Sequence, residues 1–149
     1  MNIAIVYKKP TPIQVIDTDY KKITKAFFKQ PSTTDYNGLY NGKYLDFEAK
    51  ETTSKTSFPL DNIHPHQIKH IRNIVNHKGI CFLIVRFNKL FKTYLLFADD
   101  FIYFIDNNLR KSIPLSFFEE KAFLIKEKLG PIVDYIEIVD KYGGSHEKK

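Results

Sequence analysis

The chain contains one cysteine, Cys81, and no tryptophan. A single thiol cannot form an intramolecular disulfide, and the same count excludes a cysteine-rich zinc site. No apolar run approaches the roughly 18 residues that a membrane helix needs. No internal repeat or low-complexity block is present. The opening MNIAIVYKKP is short and carries its basic residues behind its apolar stretch, the reverse of a signal peptide. A soluble, cytoplasmic protein is expected. Apolar residues make up 43% and charged residues 27% of the 149 positions, which excludes disorder over the whole chain. The length fits one domain, expected over 1–142 with a projecting arm at about 2–29, and 143–149 reads as a frayed tail.

There are 23 Lys and Arg against 17 Asp and Glu, a net charge of +6. Such a balance is compatible with a polyanionic partner. Placement says more than the total: Lys8, Lys9, Lys21, Lys22, Lys25 and Lys29 crowd one stretch whose acids are Asp17 and Asp19. On charge alone, a solvated face explains them equally well.

Residues 2–7 and 12–18 are short and β-branched, and they flank Lys8-Lys9-Pro10-Thr11-Pro12. Two prolines hold that connection extended with fewer ladder donors, which suggests an exposed arm. Residues 23–29 form a third strand of it or a helical turn. Residues 36–41 and 43–51 read as a hairpin around Asn41-Gly42. On its second strand Tyr44, Asp46, Glu48 and Lys50 share one face, and Leu45, Phe47 and Ala49 share the other. A helix is expected over 65–77, opened by Pro65 and closed by Gly79, with Gln67 on the inward stripe of Ile68, Ile71, Ile74 and Val75. Strands are expected at 80–86, 93–97 and 101–105. A helix capped by Ser116 and Glu119 should run to about Leu129, followed by a last strand at 132–139. This order indicates an α/β domain with a mixed sheet. Cys81 falls in the apolar run 80–85 and reads as core. His64, His66 and His70 lack a convincing ligand spacing and read as surface or supporting groups.

Asp35 and, thirteen residues later, Glu48-Ala49-Lys50 form a sensible layout for a metal-dependent nuclease. Hard Mg²⁺ prefers oxygen ligands, and the two carboxylates supply them. Such an ion lowers the pKa of a bound water and polarises a phosphate oxygen. Lys50 faces the same site, either to position the attacking water or to offset charge growing on the phosphorus. The competing explanation is a ladder of surface salt bridges.

The run PSTTDYNGLYNGKYLDFEAKETTSKTSFPLDNIHPHQI, with KKPTPIQV upstream and GICFLIV downstream, resembles the RecU family of Holliday-junction resolvases. The resemblance extends from about Ala4 to Val139. It implies a restriction-endonuclease-like PD-(D/E)xK core, a mixed sheet flanked by helices, with a β stalk projecting from it. It also implies a Mg²⁺-dependent (or Mn²⁺-dependent) endonuclease that resolves four-way junctions by paired symmetric nicks during recombination and repair. By resemblance, Thr33, Asp35, Glu48 and Gln67 hold the metal and Lys50 stabilises the transition state. Asp46 either assists or serves as a partner for Lys50 or for a backbone donor. The stalk lysines Lys8, Lys9, Lys21, Lys22 and Lys25 would meet the phosphates converging at the junction centre. The implied partners are a four-way DNA junction, a second copy of the chain, the strand-exchange recombinase and the branch-migration machinery.

The chain departs from the family pattern in two places. Family members carry a few tens of residues ahead of this start, a basic segment with an Asn-Arg-Gly type motif and a helix. The expectation is therefore a shortened start and, as an alternative function, a catalytically impaired junction-binding or recombinase-regulating protein. In the stalk, Tyr20-Lys21-Lys22 stands where the family has Tyr-Pro-x-Arg, and the segment to Phe28 is shorter. A restriction-type nuclease of the same fold is a third reading, against which the Pro-rich stalk argues.

Overall fold

The computed structural model describes residues 4–29, 33–126 and 135–142. In chain order the elements are β1 (Ala4–Lys8), β2 (Ile13–Asp19), β3 (Lys22–Phe28), β4 (Tyr36–Tyr40), β5 (Lys43–Thr52), β6 (Ser57–Pro59), α1 (Pro65–Asn76), β7 (Ile80–Phe87), β8 (Lys92–Phe97), α2 (Ala98–Asn107), β9 (Ser112–Pro114), α3 (Leu115–Lys121), β10 (Phe123–Ile125) and α4 (Ile136–Tyr142). A six-stranded sheet runs β1-β4-β5-β7-β8-β10. β5 and β7 are parallel, joined across α1, and the other neighbours are antiparallel. The sheet is therefore mixed, with helices on both faces, as expected. Among the described residues, no helix is long and apolar enough to cross a membrane.

Strand alternation divides the core in two. Cys81, Leu83 and Val85 of β7 and Leu96 of β8 face Ile71 of α1, Phe101 of α2 and Phe118 of α3. Phe82 and Ile84 face the opposite way, with Leu45 and Phe47 of β5, Phe97 of β8 and Val139 of α4. β7 is buried on both faces over 80–85, which explains why that part of its sequence is an unbroken apolar run. Cys81 is core, and burial pushes its thiol pKa well up. Asn41 and Gly42 both take positive φ, 49° and 77°, so the β4–β5 hairpin turns as the Asn-Gly pair requires.

The arm is a separate two-stranded sheet of β2 and β3, exposed along its whole length. Residues 22–28 are thus a strand and not a helical turn. Tyr20 stands at the tip with φ 51° and is 98% exposed. At the foot, the Lys29 N–H donates to the Pro12 carbonyl at 2.9 Å, and the Lys9 N–H to the Asp35 carbonyl at 2.7 Å.

Five expectations differ from what forms. The arm expected at about 2–29 is shorter: residues 4–8 are β1, paired with β4 in the main sheet, and only β2 and β3 project. Residues 101–105 are not a strand but lie within α2. Their aromatic and β-branched content suggested β, yet Ala98, Phe101 and Phe104 recur at helical spacing and are buried, and Asp99 and Asp100 suit a helix N-terminus. The Ser116–Glu119 capping box does not form: Pro114 is the N-cap, so Ser116 already lies inside α3. That helix stops at Lys121 because Phe123–Ile125 pair with β8 as the sheet's edge. The last strand expected at 132–139 is replaced, over its described part, by α4, fastened by the Tyr40 hydroxyl donating to Asp140. Residues 127–134 and the expected tail at 143–149 lie outside the described residues. The short ladder of β6 with β9 was not anticipated.

β1 docks on β4 at unusually close range at Gly38. A Cβ there would stand 2.1 Å from the Ile5 carbonyl oxygen, a backbone atom that cannot swing away. Gly38→Ala is expected to lower unfolding free energy by about 2–3 kcal/mol, read by urea denaturation, because β1 must shift off the sheet.

Candidate functional site

The site is built on β5. Alternation sends Asp46, Glu48 and Lys50 to the face beneath α1, and the two carboxylates are only 0% and 1% exposed. The polar face anticipated on this strand is therefore a buried wall. On the opposite face Leu45 and Phe47 enter the core as expected, while Ala49 is exposed.

Glu48 is held from two sides. One carboxylate oxygen accepts the Asp35 backbone N–H at 2.9 Å, and the other lies 3.0 Å from the Lys50 ammonium. This bond draws the loop at 33–35 onto β5 and places the Asp35 carboxyl beside Glu48. Burial pushes the Glu48 pKa up to about 7; Lys50 pulls against that shift, and the neighbouring Asp35 adds to it. Gln67 is 1% exposed, pointing inward from the first turn of α1. Its amide nitrogen donates to the Thr33 carbonyl at 3.3 Å, and its amide oxygen accepts the His64 N–H at 3.1 Å. Thr33, Asp35, Glu48, Lys50 and Gln67 are thus brought together from a loop, a strand and a helix.

Asp46 is wired differently. Its carboxylate accepts from the Thr34 hydroxyl, from the Tyr44 hydroxyl at 2.7 Å and from the Lys9 ammonium at 3.4 Å, and it lies 3.0 Å from His70 Nε2. Tyr44 is pushed up to about 12, first by burial and then by its bond to Asp46, so it stays a donor. Lys9 also donates to Thr34 at 3.2 Å. None of Thr34, Tyr44 or His70 was singled out as an Asp46 partner from sequence. For His70 a signal existed, since it follows Gln67 by three residues and so shares its helix face. For Thr34 there was none.

Of the five stalk lysines, Lys8, Lys21, Lys22 and Lys25 are exposed, while Lys9 is turned inward on Asp46. A cleft of about 440 Å³ separates the 8–12 connection from Thr33, Thr34 and Asp35.

Among the described residues no group of three or more His, Cys, Asp and Glu forms a metal cluster. The residues that could hold an ion here, Thr33, Asp35, Glu48 and Gln67, carry oxygen donors, a chemistry that suits Mg²⁺ or Mn²⁺ rather than zinc; the Gln67 amide oxygen is engaged by the His64 N–H. The buried Glu48 carboxylate, its charge disfavoured by burial and by Asp35, also fits a cation at this place.

A mixed sheet that carries Asp35 on the loop entering its hairpin and Glu48-x-Lys50 on the next strand, with a β hairpin projecting beside them, is a PD-(D/E)xK nuclease fold. Residues 1–141 match the family described as Recombination protein U. The chain is 50% identical over 147 residues to the Holliday junction resolvase RecU of Pediococcus pentosaceus, covering 93% of this chain and 73% of that one. It is also 50% identical over 152 residues to the RecU of a Geobacillus species, covering 97% and 76%. Against the RecU of Streptococcus thermophilus the identity is 47% over 151 residues, covering 97% and 76%. The chain belongs to the RecU family.

The raised Glu48 pKa has a stability consequence. Between its ordinary value of 4.5 and about 7, the folded state binds more protons at Glu48 than the unfolded state does. Stability therefore falls as pH rises through that window. With divalent cations chelated, wild type should lose more melting temperature between pH 4.5 and 7 than Glu48→Gln, whose side chain cannot ionise. Parallel melting curves for the two proteins would contradict the assignment.

Proposed function

We propose that this chain is a metal-dependent, structure-selective endonuclease that resolves Holliday junctions by paired symmetric nicks in recombination and repair. The observation that carries the reading is the buried Glu48, bonded to the Asp35 amide and the Lys50 ammonium, at the foot of an exposed hairpin that bears lysines. The family relationship supports the same substrate class. In this reading Asp35 and Glu48 supply negative charge to the ion, and Thr33 and Gln67 supply neutral oxygens. When bound, a Mg²⁺ or Mn²⁺ ion lowers the pKa of a water and polarises a phosphate oxygen. Lys50 offsets charge that grows on the scissile phosphate. Burial of Glu48 and Gln67 keeps bulk water from competing for their oxygens.

Lys21, Lys22 and Lys25 line the exposed arm, where Lys22 pairs in register with Asp19 and Lys25 with Asp17, and Lys8 ends β1 beside the foot of that arm. They meet the phosphates that converge at the branch point, so recognition runs through shape and charge. A second copy supplies the second site, because two strands of like polarity must be cut on a two-fold junction.

The test follows a labelled four-way junction and a linear duplex of the same sequence, with and without Mg²⁺, scoring binding and cleavage together. Paired nicks are expected on the junction alone and with metal alone. Glu48→Ala should cut at least about 10³-fold more slowly, and Lys50→Ala about 10²–10³-fold, with junction binding kept. Removing Lys21 and Lys22 together should flatten the slope of log affinity against log salt by about 2. Undiminished cutting by Glu48→Ala would overturn the reading.

A further inference from the structure

Asp46 takes no part in the chemistry proposed above, yet it is a fully buried charge with four partners. Those partners come from every part of the molecule that has to be in place for cutting. Lys9 belongs to the foot of the arm. Thr34 precedes Asp35. His70 lies on α1, three residues beyond Gln67, and Tyr44 shares β5 with Glu48. The arm is attached to the body through few bonds. Among the described residues, the hydrogen bonds that join residues 9–29 to the body are those of Lys9: its N–H to the Asp35 carbonyl and its ammonium to Asp46 and Thr34. Beyond Lys9, Pro10 and Pro12 have no N–H to offer.

We propose that Asp46 is a positioning residue that, through Lys9, locks the foot of the β2–β3 hairpin to the metal site and so fixes how far from the branch point the chain cuts. The proposal rests on the resolvase reading above. The hairpin is a lever. Seven residues per strand make an arm of roughly 23 Å. A swing of about 10° at its foot displaces the tip by about 4 Å, close to the ~3.4 Å rise between successive nucleotides of one strand. A loose foot would therefore bring a neighbouring phosphate to Glu48, and a rigid foot selects one. The cleft between the 8–12 connection and Asp35 is where the DNA backbone would pass from arm to site.

Lys9→Met tests this, because it cuts the lock at the arm and leaves Asp46 its Thr34, Tyr44 and His70 partners. Asp46→Asn cuts it from the other end. Two measurements are made on the full chain. The first is the position of each nick on an immobile junction at single-nucleotide resolution, together with junction affinity and single-turnover rate. The second is hydrogen exchange across residues 4–29 in the metal-free protein. Wild type should cut each nicked strand at one phosphate. Lys9→Met should spread the cuts over two or three neighbouring phosphates and slow cleavage about tenfold, while junction affinity changes less than about threefold. Exchange at the foot of the hairpin should rise about tenfold, beyond whatever rise the loss of a buried ion pair brings to the whole body. A change confined to stability would lower the active fraction without moving the cut.

Wild-type exchange at the foot in both variants overturns the lock, whatever the nicking pattern. Faster exchange with an unmoved cut overturns the role in setting the cut. If the unaltered chain nicks no junction, the resolvase reading falls, and the lock stands or falls on the exchange measurement alone.

Discussion

The central constraint on this molecule is the burial of two carboxylates, two residues apart, on one face of β5. Taking an ion out of water costs on the order of several kcal/mol unless partners replace its hydration. The fold meets this cost in two ways. Asp46 is supplied with two hydroxyls, an ammonium and an imidazole nitrogen, enough to satisfy both of its oxygens. Glu48 has one backbone amide and one ammonium, and its pKa is pushed up to about 7. The first arrangement is that of a structural charge. The second leaves a carboxylate that gains from a cation, which distinguishes the two positions although they share a strand, a face and nearly the same burial.

The rest of the architecture follows from making that wall. A parallel β5–β7 pair needs a crossover, and the crossover is α1. Its stripe of Ile71 and neighbouring apolar residues seats it on β7 and against α2, and the same seating lowers Gln67 and His70 onto β5. The loop at 33–35 is pulled in by the Asp35 amide bond to Glu48 and by Thr34 on Asp46. Arg72, forked onto Asp106 at 2.6 and 3.0 Å, joins α1 to α2 at the surface, where such a pair adds modestly.

Much of this was legible in the residues, and the reasons differ from element to element. The β4–β5 hairpin was readable because Asn41-Gly42 satisfies a turn few other pairs can make. The inward turn of Gln67 was readable because it lies one helical turn before Ile71. The grouping of Glu48 with Lys50 needed only the two-residue period of a strand. What failed depended on contacts distant in sequence. Residues 101–105 resemble a strand until α1 and α3 offer a hydrophobic surface that rewards the 98-101-104 spacing. Residues 123–125 would have continued α3, but β8 has an open edge and takes them. Lys9 looked like its basic neighbours; only the three-dimensional placement of Asp46, 37 positions further along, turns it inward.

That inward turn matters for how a basic arm is put to use. Lysines on an exposed hairpin attract polyanions of any shape, and attraction alone places no bond at a reactive centre. Selectivity for a branched structure needs the arm and the cutting site to keep a fixed distance, and a hairpin exposed on both faces cannot secure that by packing. A buried ion pair at its foot can, because moving Lys9 would strip a partner from a fully buried carboxylate. The energetic penalty that makes buried charge a poor source of stability makes it a good source of geometric definition. Asp46 thus holds in register the hairpin, the Asp35 loop, the helix bearing Gln67 and the strand bearing Glu48, without entering the chemistry.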